Sequence, residues 1–300
     1  MKAGQYHMQN EFCKQVDMRF WVISDLQQSN PVNATKCLTT AVEDFRSLGL
    51  DCQRIIYLGD PVEGNNLEHI NEMVQMQRDL LGSLDIPLRF VMGNHDLDYY
   101  FSCDDISEGT MFPFWDMVSK MPGWQTTASF EDFYFTEDLG DVLLVFFSDH
   151  ADANGRWSNL HGEIRDEDNL YPYGEPDFTK LRDFIASRDK KVITCSHYAF
   201  AGGNRESKFL NNFFPLPQNI LLHLYGHAHI GDAVWAGKDC YRKISWVDGH
   251  DVPQVDVASL ENLRGNAVRS VFVEIGNGSI AVKFRNHSQQ KWDGVFVQNY

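Results

Sequence analysis

Along the first hundred residues, short apolar runs alternate with amphipathic stretches. The run 19–24 (RFWVIS) predicts a buried strand, and 54–58 (RIIYL) and 88–92 (LRFVM) predict two more. Between them, 33–48 and 67–84 carry apolar residues at helical spacing. Asn33 reads as the first N-cap, Gly49 as the stop, and Pro87 closes off the second helix. Strands alternating with helices predict βαβ units and a sheet covered on both faces. The period is lost over 98–123 and again over 151–176, both rich in aromatic and polar positions. These read as cap-like insertions, near 98–130 and 150–178, in a single domain spanning 1–300. Between the insertions, 133–135 and 142–147 predict a hairpin around Asp138-Leu139-Gly140-Asp141. Farther on, 177–188 predicts a helix, and 191–195 and 221–225 predict strands. The last third reads as mostly β, with a closing hairpin of 271–275 and 280–284 around Gly276-Asn277-Gly278.

Composition narrows the partners. A formal charge of −16 repels phosphate backbones, so long nucleic acid is not expected as a partner. The six cysteines are scattered with no C-x-x-C pair, which argues against a zinc knuckle and for a reducing compartment. Residues 1–17 carry no apolar leader, and no apolar run approaches the roughly 18 residues that span a bilayer. The expected location is the cytoplasm, with no membrane span.

Candidate chemistry sits just after predicted strands. Five segments carry it: Ser24-Asp25-Leu26-Gln27, Gly59-Asp60-Pro61-Val62-Glu63, Gly93-Asn94-His95-Asp96, Ser196-His197 and Gly226-His227-Ala228-His229. Taken singly, an aspartate there is a turn residue or cap, and a histidine a satisfied core group. Together, five strand ends can deliver their side chains to one rim, where α/β sheets bind ligands. His227 and His229 can diverge toward two neighbouring metals, Asp60 offers a carboxylate oxygen to each, and Asn94 offers a neutral carbonyl. An oxygen and nitrogen set without thiolate suits manganese, iron or zinc. Two such ions about 3.5–4 Å apart clamp the attacking and leaving oxygens at phosphorus.

The ordered series resembles the calcineurin-like metallophosphoesterase superfamily, whose pattern runs D-x-H, G-D, G-N-H-D/E, H and G-H-x-H. The resemblance spans Asp25 to His229, about two thirds of the chain. It implies an α/β fold with a central β-sandwich of two mixed sheets flanked by helices, in four layers. It implies a phosphoric ester hydrolase with a dinuclear centre of two divalent or trivalent ions. Asp25, Gln27, Asp60 and His229 would hold one metal, and Asp60, Asn94, His197 and His227 the other. His95 would contact the phosphate and protonate the leaving oxygen, with Asp96 orienting it by a hydrogen bond. A metal-bridging hydroxide would attack a phosphomonoester or phosphodiester of a small molecule. Gln27 departs from the commonest D-x-H; its amide oxygen is a weaker donor than imidazole, so the first site is expected to bind more weakly or to tolerate more metals. The alternative implied by Gln27 is an inactive scaffold of the same fold that binds a partner.

Other residues have two readings each. Glu63 either touches a metal-bound water or substrate, or backs a ligand or caps a helix start. Asp149 and His150 reach the rim or are turn residues. Tyr99, Tyr100, Phe101, Trp115 and Trp157 stack on a substrate or pack a small cap. Arg156 and Arg205 bind a phosphate oxygen or lie idle; Arg205, after Gly202-Gly203 near His197, is the better substrate contact.

Overall fold

The computed structural model describes residues 5–7, 16–64, 66–99, 112–128, 133–148, 178–200, 213–232, 243–276 and 278–300. Among the described residues, thirteen strands form two sheets. The first contains β1 (Gln5–His7), β2 (Met18–Ile23), β3 (Arg54–Tyr57), β4 (Leu88–Phe90), β11 (Arg269–Gly276), β12 (Ser279–Asn286) and β13 (Lys291–Asn299), in the order β1-β13-β12-β11-β2-β3-β4. The second contains β5 (Tyr134–Asp138), β6 (Val142–Phe147), β7 (Lys191–Cys195), β8 (Ile220–Tyr225), β9 (Ile244–Trp246) and β10 (Pro253–Asp256), in the order β5-β6-β7-β8-β10-β9. β2, β3 and β4 run parallel, as do β6, β7, β8 and β10, while the C-terminal strands are antiparallel. Both sheets are mixed, as the resemblance implies.

Alternation along the strands explains the layering. In β2, Phe20 and Val22 face a core shared with Leu144, Ile193, Leu222 and Val255 of the second sheet. Trp21 and Ile23 face the opposite way, into a core closed by the helices α1 (Pro31–Leu48), α2 (Leu67–Gly82) and α3 (Pro113–Lys120). The second sheet repeats this with Val145, Phe147 and Val192 packed under α4 (Phe178–Ala186). The first sheet is thus covered on both faces, by helices on one and by the second sheet on the other, giving four layers.

Helix α1 begins two residues earlier than its apolar period suggests. Asn30, not Asn33, is the N-cap: its side chain accepts from the Val32 and Asn33 amides, and Pro31 takes the first turn, where it has no hydrogen bond to lose. Asn33 instead donates to Gln28 and, at 2.7 Å, to Asn262. Within the first expected insertion, α3 packs Phe114 and Val118 into the core over β4, and Gln125 bonds to both sides of that strand edge. The second expected insertion lies outside the described residues except at Phe178. Among the described residues, no helix is long and apolar enough to cross a membrane.

Candidate metal centre

The parallel strands of the two sheets end at a common rim. β2, β3 and β4 deliver Asp25 and Gln27, Asp60, and Asn94 with His95; β7 and β8 deliver His197, and His227 with His229. Hydrogen bonds stitch the two rims together. His197 Nδ1 donates to the Leu58 carbonyl at 2.6 Å, and the His227 amide donates to Asp25 Oδ2 at 2.9 Å. All seven residues expected to hold metal are thereby brought together and buried or nearly so.

The approach is close enough to dictate glycine. A Cβ on Gly93 would stand 2.1 Å from Asp60 Oδ1, and one on Gly226 would stand 2.0 Å from Ser24 Oγ. The backbone is strained as well. Asp25, Asp60, His227 and His229 adopt φ of 57°, 53°, 68° and 45°. Such left-handed conformations in residues bearing a Cβ cost on the order of 1–3 kcal/mol each, and they cluster at functional sites.

Two donor groups result: Asp60, His197 and His227 in one; Asp25, Asp60 and His229 in the other, each with its ligand atoms within 4.8 Å of one another. His197 Nε2 lies 3.1 Å from Asp60 Oδ2 and 3.1 Å from Asn94 Oδ1, and 3.2 Å from His227 Nδ1. His229 Nε2 lies 3.2 Å from Asp25 Oδ1 and 2.6 Å from Gln27 Nε2. Buried Gln27 Oε1 and Asn94 Nδ2 make no hydrogen bond here. Burying polar atoms in this way is costly unless something else satisfies them.

Charge is also concentrated. Burial alone would raise the Asp60 carboxyl, but His197 and His95 beside it hold it far below the usual carboxylate range. Burial would lower the histidines, yet Asp60 lifts His197 to about 10, and Asp25, with help from Glu261, lifts His229 to about 10. A cation entering the cluster must displace those protons, so its affinity rises with pH.

The carboxylate against His95 is that of Asp98, not Asp96. His95 Nδ1 donates to Asp98 Oδ2 at 2.7 Å, across one turn of 3-10 helix (His95–Leu97). Asp96 is buried and faces the other way, accepting from the Gly93 amide at 2.7 Å and the Asp60 amide at 3.2 Å. Burial and the nearby Asp60 charge push its carboxyl well above the usual range. It therefore ties together the loops bearing Asp60 and Asn94 rather than orienting His95. Against burial, Asp60 and then Asp98 raise His95 to about 9, and Glu63 adds to the same effect.

Two further groups were not anticipated. Glu261, fully buried, accepts from His229 Nδ1 at 2.8 Å, and the Tyr198 hydroxyl lies 3.4 Å from Asn94 Oδ1. The i, i+3 spacing of His95 and Asp98 was a usable signal, and Tyr198 adjoins a ligand candidate; Glu261 stands in no motif. Tyr99 and Trp115 are half-buried and pack against the core beneath the helices, which supports the packing alternative for both. Tyr100, Phe101, Asp149, His150, Arg156, Trp157 and Arg205 lie outside the described residues.

Among known families, the model of the calcineurin-like phosphoesterases matches residues 18–231. No protein of curated function matches the chain in sequence. Among solved structures, the chain is similar to a dimetal phosphatase from Danio rerio, with a TM-score of 0.63 and 12% identity, covering 95% of this chain and 100% of that one. It is also similar to a purple acid phosphatase from seeds of yellow lupin (Lupinus luteus), with a TM-score of 0.53 and 11% identity, covering 93% of this chain and 53% of that one. At such identities the likeness is one of fold.

Proposed function

Since the chain belongs to the calcineurin-like phosphoesterase family, we propose that it hydrolyses a phosphate monoester or diester of a small molecule. Asp25, Gln27, Asp60 and His229 hold one divalent cation in this reading, and Asp60, Asn94, His197 and His227 a second. The observation that carries it is the shared carboxylate: Asp60 belongs to both donor groups. The donor chemistry fits such ions, being carboxylate, amide and imidazole without thiolate. The buried Gln27 Oε1, which makes no hydrogen bond, is an oxygen that a cation satisfies.

When bound, a pair of cations supplies an acidified water and offsets negative charge on phosphoryl oxygens. The chain's own groups do the rest. Asp98 holds His95 through Nδ1, which leaves Nε2 to give a proton to the departing oxygen. The Asp98 carboxylate also favours the protonated form of His95. Asp96 keeps the Asp60 and Gly93 loops in register, and Tyr198 steadies the Asn94 amide. The strongly acidic chain favours a small substrate over a long polyanion.

Manganese-loaded protein is expected to hydrolyse p-nitrophenyl phosphate or bis(p-nitrophenyl) phosphate. Activity should vanish with a chelator and return with added metal. Protein that holds its cations yet hydrolyses neither ester would favour the partner-binding scaffold.

A further inference from the structure

We propose that Glu261 is a positioning residue for the Asp25 half of the centre, where it compensates for the weak donor at Gln27 by strengthening His229. The proposal rests on the reading above that the cluster holds cations. Glu261 lies five residues beyond the end of β10, a strand parallel to β8, so it reaches the rim from yet another parallel strand of the second sheet. Its backbone is tied to the strand end that carries Asp25: the Leu260 amide donates to the Ser24 carbonyl at 2.9 Å, and the Glu261 amide donates to the Asp25 carbonyl at 3.0 Å. Donor and support therefore move as one unit.

The side chain is held from two sides. Oε1 accepts from His229 Nδ1 at 2.8 Å, and Oε2 accepts from the Leu263 amide. Both oxygens are engaged behind the imidazole, so Glu261 supports His229 instead of competing with it for a cation. With Nδ1 committed to the carboxylate, Nε2 is the nitrogen left toward Asp25 and Gln27, at 3.2 Å and 2.6 Å. A carboxylate behind a ligating imidazole fixes its tautomer and raises its donor strength. His197, in the other half, has the neutral Leu58 carbonyl at its Nδ1, 2.6 Å away. The carboxylate-backed imidazole thus stands in the half where an amide replaces the imidazole of the commonest family pattern.

The test is calorimetric titration of manganese into the full chain, with cobalt absorption as a spectroscopic check on ligand geometry. Wild-type protein should show two binding steps. Glu261→Gln, which keeps shape and loses charge, should weaken one step by about 10–100-fold and leave the other unchanged. Adding Gln27→His to Glu261→Gln should restore most of that loss, which a merely structural role for Glu261 would not allow. Glu261→Asp, which retracts the carboxylate, should act in the same direction and serves if Glu261→Gln does not fold. Two wild-type steps that Glu261→Gln leaves intact, or weakens equally and beyond rescue by Gln27→His, would overturn the role of Glu261 alone. Wild-type protein that takes up no manganese would overturn this proposal and the cation reading together.

Discussion

Two buried polar clusters in this molecule look alike in composition and differ in closure. One joins Asp44 of α1 to Arg285, His287, Ser270 and Trp21. There, among the described residues, no buried side-chain nitrogen or oxygen is without a partner. Arg285 grips both Asp44 oxygens, at 2.6 and 2.8 Å; His287 Nδ1 donates to Asp44 at 2.7 Å; Ser270 donates to His287 Nε2; and the Trp21 indole donates to Ser270. Burial pushes the His287 imidazole below its usual value, favouring the neutral form that this pattern uses. The other cluster is the rim of aspartates and histidines. There imidazoles, amides and carboxylates crowd one another, the buried Gln27 Oε1 and Asn94 Nδ2 lack hydrogen bonds, and four backbones are strained. A closed network stabilises a fold on its own; an open one is preorganised for something that the chain does not supply.

Substituting one member of each cluster separates their roles. His95→Asn is expected to lower kcat by about 10²–10⁴-fold while bound cations and stability stay unchanged, as for loss of a general acid. Asp44→Asn should do the opposite. It leaves Arg285 buried without its charge partner, at a cost of about 3–5 kcal/mol in denaturant unfolding, with cation content per folded chain unaltered. If Asp44→Asn lost cations instead, the two clusters would not be independent.

Acidity sharpens the contrast further. Burial would raise the Asp44 carboxyl, but Arg285 and His287 hold it down to about 2. Its folded value lies below the roughly 3.9 of an unfolded aspartate. The stabilisation is therefore complete above that value and is lost as pH falls toward 2. At the rim, Asp98 has the reverse effect on His95 by favouring its protonated form. Asp98→Asn should shift the alkaline limb of the pH–rate profile to lower pH, the smallest of these effects, and one that leaves folding intact.

The sequence made the rim legible to the extent that its chemistry is local. Gly59-Asp60, Gly93-Asn94-His95-Asp96 and Gly226-His227-Ala228-His229 keep ligand and glycine adjacent, because the close backbone approach and the donor belong to the same turn. The βαβ pattern was equally visible, since β2, α1, β3, α2 and β4 are each built from one continuous period. What escaped is the pairing that only three dimensions set. Asp96 adjoins His95 in sequence, yet the 3-10 turn rotates it inward and brings Asp98 under the ring. Glu261 reaches His229 through backbone bonds between its own segment and the end of β2, more than two hundred residues away, and nothing in Ser259-Leu260-Glu261-Asn262 advertises them. β10 opens on Pro253, a residue that argues against a strand from sequence alone and is tolerated at a first position.

The proposed hydrolysis requires Asp60 to serve two cations. Equilibrium dialysis against manganese, with metal analysis of the retained protein, tests this directly. Wild-type chain should retain two ions, and Asp60→Asn, still folded by circular dichroism, should retain fewer, because both donor groups lose the charge and one oxygen of their common carboxylate. A wild-type chain that retains none, or a folded Asp60→Asn chain that still retains two as tightly, would contradict it.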